Sequence, residues 1–468
     1  MPIRKLPDAP PSVHILGPTV FLVALGVGMG ESYMWPRLVL LFGPEIRWLF
    51  LIGVTLQAVV MLEMARYAMA TGESIFSGAA RVFKPIMWFF FVTAIAVYIW
   101  PGHLSAGAAA FEEITGIPWV VTAVIGLILV GVVFSLAKVI YNVLENLLSV
   151  LIGVLVISTA VVAAMVGSWG DVVSTITGMF AFGYLPPEAL SAAWFPVIVG
   201  ACAFAGPSGM QQMWYTLHLR DSGAGMGAHI PRIRGLRHAG EEEAMPTRGF
   251  MFDTDDPAEM AKWKGWRRWV TFDALLLFWG VTMLVTISFT VIAQAAVRQN
   301  PGVRAVISGD DREVALTAMS DAVSSAGSSV LGVVFLGFIA LIGLNATLGL
   351  FDSFSRGQAD MTYNFVPGAR KRKMSHLYAG FLWGVIIFGI LILLFGPADG
   401  PSGILDTLAF LSTFAMGAYC VTLLLVNNRM LPKPIRPKWW TNVIVGFGAV
   451  FYLGMLFYSL FAFGVVVD

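Results

Sequence analysis

Charged residues are scarce in this sequence. They make up 12% of its 468 residues, whereas hydrophobic residues make up 57%, and a soluble domain carries about 25% charged residues. This composition excludes a soluble globular protein, including a soluble enzyme, and predicts an all-α polytopic membrane protein embedded in a lipid bilayer. The formal net charge is only +1, which excludes the basic excess typical of a nucleic-acid-binding protein.

Cysteine is equally scarce, and nucleotide-binding motifs are missing. The two cysteines, Cys202 and Cys420, both lie inside apolar segments. They therefore exclude a disulfide framework and a cysteine-based metal site. Neither a GxxxxGK[ST] phosphate-binding loop nor a GxGxxG turn after a strand occurs, which excludes ATP hydrolysis by this chain. We expect no enzyme activity and no cofactor.

Long apolar runs are what the sequence has in abundance. A bilayer-spanning helix needs about 20 apolar residues. The first apolar run has no small-residue cleavage site, which predicts a retained helix rather than a signal peptide. Eleven segments qualify as spans: 16–42, 46–70, 85–110, 118–137, 143–167, 190–218, 269–296, 328–355, 377–396, 403–427 and 440–466.

The basic residues are distributed unevenly between the two sides of this map. If the N terminus is cytoplasmic, 24 of the 29 Lys and Arg residues fall on the inner side and five on the outer side. Because cytoplasmic segments carry an excess of Lys and Arg, eleven spans are favoured, with the N terminus inside and the C terminus outside. We expect the protein in a plasma membrane, specifically a bacterial inner membrane.

The first and the sixth span are interrupted by glycine and polar residues. Lipid cannot satisfy the backbone groups that an interruption frees, so unwound backbone is tolerated only where it is buried in protein or lines a cavity. Paired interruptions in two halves of a chain indicate a secondary-transporter binding site. We predict breaks near 27–32 and 204–209. The residues that open the backbone are Gly28, Gly30, Gly206, Pro207 and Gly209.

Glu31 is the foremost candidate site residue, because a carboxylate in mid-span is costly unless it is paired or hydrated. It is either a cation ligand, including a metal ligand, or a proton carrier, or else it caps its own unwound turn. Neutral groups accompany it at the same level. These are the freed carbonyls near Val27, Gly28, Ala203 and Phe204, the backbone at Gly206, and the side chains of Ser32, Ser208, Gln211 and Gln212. Hard oxygens of this kind suit Mg²⁺ or Ca²⁺, and they equally suit a polar organic solute.

Two further candidates lie in other spans. Asn345 is a weaker substrate-binding candidate in the predicted eighth helix. His103 follows Pro101 in the predicted third helix, where it is either a proton relay or a hydrogen-bonded structural histidine beside a proline kink.

Four motifs resemble the Nramp (natural resistance-associated macrophage protein) family of metal-ion transporters. They are Gly17-Pro18 at the entry to the first span, Ala70–Ser74 after the second, Tyr141–Glu145 at the start of the fifth, and Asn345–Gln358 in the eighth. Their order and spacing cover most of the chain. The resemblance implies a LeuT-type fold in which helices 1–5 and 6–10 are inverted repeats and helix 11 is additional, and it makes Asn345 a residue near the site.

This resemblance gives the domain boundaries that we expect. They are a cytoplasmic segment over 1–15, a first repeat over 16–167, a second repeat over 190–427 and helix 11 over 438–468. The second repeat contains a cytoplasmic loop at 219–267, which has little periodicity, and an outer loop at 297–327. Residues 311–323 of the outer loop have the spacing of a short amphipathic helix.

The departures from the family pattern bear on the substrate. The family has Asp-Pro-Gly-Asn at its first break, where this chain has Gly28-Met-Gly-Glu31, and Met-Pro-His at its second, where it has Gly206-Pro207-Ser208. A thioether ligand favours transition metals, so its absence argues against a Mn or Fe site. The leading hypothesis is a secondary active transporter for a hard divalent cation. The alternative is a transporter of the same fold for a small organic solute, such as an amino acid or an amine.

Overall fold

The computed structural model describes residues 1–10, 28–136, 140–232, 246, 248–308, 313–396 and 400–463, and over 140–150 it describes the backbone alone. Helices account for the regular structure of these residues, apart from one isolated bridge between Ile3 and Met251. The entry to the first span, 16–27, lies outside the described residues.

The α-helices of the described residues are numbered here in chain order. They are α1 Trp35–Phe42, α2 Trp48–Thr71, α3 Ile75–Val82, α4 Lys84–Tyr98, α5 Gly102–Thr115, α6 Trp119–Leu136, α7 Ile140–Val166, α8 Trp169–Gly178, α9 Phe195–Ala203, α10 Gln211–Ser222, α11 Pro257–Asp273, α12 Thr282–Gln299, α13 Val303–Ser308, α14 Val314–Ser325, α15 Ser329–Phe365, α16 Met374–Phe395, α17 Gly400–Met430 and α18 Trp439–Phe463. Two π-helical stretches occur: Gly30–Met34 leads into α1, and Ala274–Val281 joins α11 to α12.

Eight helical stretches of the described chain are long and apolar enough to cross a membrane. A ninth is added if Leu151–Val166 and Trp169–Gly178, which meet at an angle of 119°, count as one span. In α6 only 28% of the apolar window is buried inside the protein, so most of that helix is left to face lipid. The protein is therefore an integral membrane protein.

The first and sixth predicted spans are not among these stretches. The structure describes only the second half of the first, and the sixth is divided between α9 and α10, each too short to cross a bilayer. The number eleven stays a prediction.

The helix that carries the seventh predicted span begins at Pro257, well before residue 269. Asp256 caps it by accepting a hydrogen bond from the Ala258 N–H at 2.8 Å. Trp263, Trp266 and Trp269 lie at a spacing of three and are buried. The lysines and arginines between them lower the mean hydropathy of this stretch. For that reason the prediction from sequence begins the seventh span at residue 269 and assigns the first turns of this helix, 257–267, to the loop.

The N-terminal residues pack on α11 and on the segment before it. The Arg4 N–H donates to the Met251 carbonyl at 2.9 Å, and the Trp266 indole donates to the Pro7 carbonyl at 2.9 Å. Leu6 is fully buried. We name residues 1–10 the N-terminal strap. In the predicted outer loop, α14 confirms the short helix expected near 311–323.

The helices α5 and α15 pack with their backbones close together, which places His103 next to the site described below. A Cβ atom on Gly343 would lie 2.5 Å from the His103 carbonyl oxygen and 2.8 Å from the Gly107 Cα. Both of these atoms belong to the backbone, so they cannot move aside as the end of a flexible side chain can.

Gly343→Ala is therefore expected to destabilise the protein by about 1–3 kcal/mol, the cost of overpacking a tight contact. Gly337→Ala in the same helix is the matched control, because nothing lies within 4 Å of a Cβ at that position. The control should be neutral or stabilising by up to about 1 kcal/mol through helix propensity. Thermal unfolding of both variants in detergent measures the difference, and equal melting temperatures would contradict the close approach.

Candidate functional site

The sixth predicted span is interrupted over residues 204–210, between the end of α9 at Ala203 and the start of α10 at Gln211. Gly206 has φ +115° and Gly209 has φ +54°. Only glycine adopts the first of these angles without strain, because it has no Cβ. A Cβ on Gly206 would also lie 2.9 Å from the Gln57 Oε1 atom. The interruption falls in the segment for which the sequence predicts a break.

The first predicted span is described from Gly28 onward. Gly30–Met34 forms a π-helical turn, a distortion that is frequent at functional sites. Gly30 lies so close to the Phe204 carbonyl that any side chain at this position would collide with it. Residues 29–32 of the predicted first break are helical in the structure, and this helix meets the sixth-span interruption at Gly30 and Phe204. Val27, with the N-terminal edge of the predicted break, lies outside the described residues.

The Glu31 carboxylate joins the first-span helix to the sixth-span interruption. Its Oε1 accepts a hydrogen bond from the Gly206 N–H at 2.8 Å, and its Oε2 accepts one from the Gly28 N–H at 3.2 Å. The residue is 1% exposed. Within the described part of the chain, no Lys, Arg or His side chain forms an ion pair with it. Glu31 therefore caps two backbone donors, and its ionised form has no cationic partner among those residues.

The predicted serine ligands have partners in their own turns. The Ser32 hydroxyl donates to the Gly28 carbonyl at 2.8 Å. The Ser208 hydroxyl accepts from the Gln211 amide at 3.2 Å. The Gln211 Oε1 atom, in contrast, is buried without a hydrogen-bond partner among the described residues, so it remains a free oxygen ligand.

Neutral polar side chains form hydrogen bonds with the backbone at the sixth-span interruption. The Gln57 amide of α2 donates to the Ala203 carbonyl at 2.9 Å. The Gln212 amide donates to the Gln57 backbone carbonyl and to its Oε1, both at 3.2 Å. The Tyr98 hydroxyl donates to the Ser208 carbonyl at 3.1 Å and accepts from the Met210 N–H at 2.8 Å.

The structure places His103 beside this site and Asn345 further along α15. The His103 imidazole is buried and stacks on the Phe204 ring with centroids 5.1 Å apart and the planes at 4°. Its Nδ1 atom has no hydrogen-bond partner among the described residues. Asn345 is buried two residues beyond Gly343. Of these two, His103 packs directly against the interruption.

On the predicted outer side, an ion pair and a group of hydrogen-bonded side chains connect the first span to α17. The Arg37 guanidinium of α1 pairs with Asp406 of α17 at 2.6 Å. The Tyr33 hydroxyl lies 2.7 Å from the Ser402 hydroxyl and 3.3 Å from the Glu313 carboxylate. We name these five residues the outer cluster. It fastens the first span to α17.

On the predicted inner side, charged residues of α10 and α15 form a buried network. Arg356 pairs with Asp352 at 2.9 Å and also with Asp221, and Arg220 pairs with Asp360 at 2.7 Å. All five are at least 94% buried. We name these residues the inner cluster.

Sequence reasoning missed Gln57, Tyr98 and the two clusters. An amide in the middle of an apolar span is a usable signal for Gln57, because a polar residue at that depth needs a partner. Tyr98 carries no such signal, since tyrosine is common in membrane helices near the interfaces.

Glu31 is the carboxylate that a metal ion at this site would use. The described residues contain no group of three or more His, Cys, Asp and Glu side chains that could hold a metal ion. Glu31, the Gln211 Oε1 atom, backbone carbonyls and retained water would have to supply the ligands. Such a donor set suits a hard cation better than a soft one.

No protein-family model matches the chain, and no curated protein matches it. Solved structures do. A manganese transporter of Eremococcus coleocola, in complex with an aromatic bis-isothiourea substituted compound, superposes with a TM-score of 0.64 at 12% identity, covering 99% of this chain and 92% of the other. A single-substitution variant of that transporter gives 0.63 at 15% identity, covering 98% and 89%.

A second kind of transporter has the same architecture. Mhp1, a nucleobase-cation-symport-1 family transporter in a closed conformation with bromovinylhydantoin bound, gives a TM-score of 0.53 at 12% identity, covering 99% of this chain and 97% of the other. These likenesses extend over nearly the whole chain and confirm the predicted fold class, an all-α membrane protein of LeuT type.

Proposed function

We propose that the protein is a secondary active transporter that moves a cation by alternating access, with its site where the first span meets the sixth-span interruption. The observation that carries this proposal is the Glu31 carboxylate, which is buried without a cationic partner among the described residues. A buried charge is costly unless it is paired. A cation or a proton delivered from outside the protein would supply the missing positive charge.

The proposed cation is a hard divalent ion such as Mg²⁺ or Ca²⁺, rather than Mn²⁺ or Fe²⁺. The donor atoms that Glu31, Gln211 and the backbone carbonyls offer are oxygens, and Gly206 stands where the resembled family has its thioether. We place the chain as a divergent branch of the Nramp family on the motifs given above, and the superposition on the manganese transporter supports that placement.

The outer and inner clusters support alternating access. Each joins elements that would have to separate before the site could open to that side: α1 and α17 on the predicted outer side, α10 and α15 on the inner side. We keep the predicted repeats, 16–167 and 190–427, the cytoplasmic N terminus, the outer C terminus and the bacterial inner membrane as parts of this proposal.

A second candidate is a small organic solute such as an amine or amino acid. It is favoured by the two N–H groups that already occupy the Glu31 oxygens, because a capped carboxylate suits one ammonium group better than several metal–oxygen bonds. The hydantoin compound bound to Mhp1 shows that a protein of this fold holds an organic ligand.

Glu31→Gln is expected to abolish uptake or to uncouple it from the pH gradient, because the variant retains the shape of the side chain and removes its charge. Uptake into proteoliposomes with and without a pH gradient measures this, with Glu113→Gln, at an exposed position, as the control. If Glu31 is only a cap, transport should persist and stability should fall by about 1 kcal/mol. Wild-type uptake and pH dependence in Glu31→Gln would favour the organic solute.

The oxygen donors of Glu31, Gln211 and the backbone carbonyls predict that Mn²⁺ will bind no more tightly than Mg²⁺ or Ca²⁺. Titration calorimetry of the purified protein with each ion, and competition between the ions in uptake, measure this order. Much tighter binding of Mn²⁺ or Fe²⁺ would contradict the proposed substrate class while leaving the transporter proposal intact.

A further inference from the structure

The last carbonyl of α9, at Ala203, is a freed acceptor at the edge of the site. A helix end leaves its final carbonyls without an intrahelical partner, and an oxygen at this place is a natural ligand for a cation. It already has a hydrogen-bond partner, because the Gln57 amide donates to it at 2.9 Å. Gln57 and Ala203 are both fully buried.

The orientation of the Gln57 amide is held by its neighbours. Its Oε1 accepts from the Gln212 amide at 3.2 Å, and the Gln212 Oε1 in turn accepts from the Tyr419 hydroxyl at 3.4 Å. An amide has distinct donor and acceptor ends, so this arrangement turns the Gln57 NH₂ group toward Ala203. The relay joins α2, α10 and α17.

A similar pattern occurs at the Glu31 carboxylate, the ionisable group of the site. Glu31 is the acceptor there, and the Gly206 N–H is the internal donor. Two groups that a cation would use, the Glu31 carboxylate and the Ala203 carbonyl, are thus hydrogen-bonded from within the protein. The Gln57 N–H takes one of the two lone pairs of the Ala203 oxygen and places a positive hydrogen beside it, so a cation that coordinates this oxygen competes with the Gln57 amide.

We propose that Gln57 is an internal substitute for the cation, and that its release of the Ala203 carbonyl is a step of cation binding that sets the affinity. This inference rests on the proposed function and adds a residue that determines affinity without being a ligand. Removing the substitute should tighten binding, because the cation no longer has to displace it. Kd is expected to fall about fivefold, which corresponds to the free energy of one net hydrogen bond.

Gln57→Leu tests this in the full-length protein in detergent, with MgCl₂, CaCl₂ and MnCl₂ as the probes in titration calorimetry. The variant should have a lower melting temperature without cation, because the Ala203 carbonyl is orphaned, together with a lower Kd and a larger cation-induced rise in melting temperature. Gln57→Glu is the second variant. Its ionised carboxylate still accepts from Gln212 but no longer donates to Ala203, so it should tighten binding further.

Thr55→Ala is the matched control. Thr55 lies on the same helix, is exposed, and accepts a hydrogen bond from the Trp279 indole at 3.1 Å, outside the site. It should leave Kd unchanged. A Gln57→Leu variant that binds the ions no more tightly than a binding wild-type protein would overturn the substitute role and leave the proposed function standing. Binding seen only after the substitution would support it, and no binding by wild type or either Gln57 variant would overturn both.

Discussion

The hydrogen bonds of one carboxylate hold the centre of this protein together. Glu31 accepts from Gly28 in its own span and from Gly206 in the sixth-span interruption. The Gly206 N–H is freed by that interruption and the Gly28 N–H lies just before the first described helical turn, so one side chain satisfies a backbone donor on each span. The close approach of Gly30 to Phe204 depends on the same geometry. Loss of this bridge would leave buried donors on both spans without partners, which is costly in a membrane protein.

The polar groups next to this centre are neutral, and the charged groups lie further away from it. Neutral amides and hydroxyls from Gln57, Gln212 and Tyr98 lie against the sixth-span interruption. The full ion pairs lie further out, in the outer and inner clusters. Paired charges are tolerated in those layers because each has its counter-charge nearby. Next to the site, neutral groups support the backbone without adding a fixed charge that would compete with Glu31.

The sequence predicted the fold class and the interruption at 204–210 because both follow from local chemistry. Gly206 and Gly209 adopt angles that favour glycine, and apolar runs of span length leave few alternatives to a membrane helix. The partners of the freed groups were not predictable in the same way. That Gln57 reaches Ala203, across 146 positions in the chain, is decided by packing. The clusters were missed because Arg37 and Arg356 were counted only as topology signals.

The N-terminal strap has a mechanical consequence. It is fastened to α11 through Trp266, and α11 continues without a gap into the π-helical stretch that carries Phe278. A side chain on Gly206 would lie 3.0 Å from the Phe278 ring, so that ring presses against the sixth-span interruption. Movement of the first ten residues would therefore be transmitted to the candidate site through α11 and the Phe278 ring.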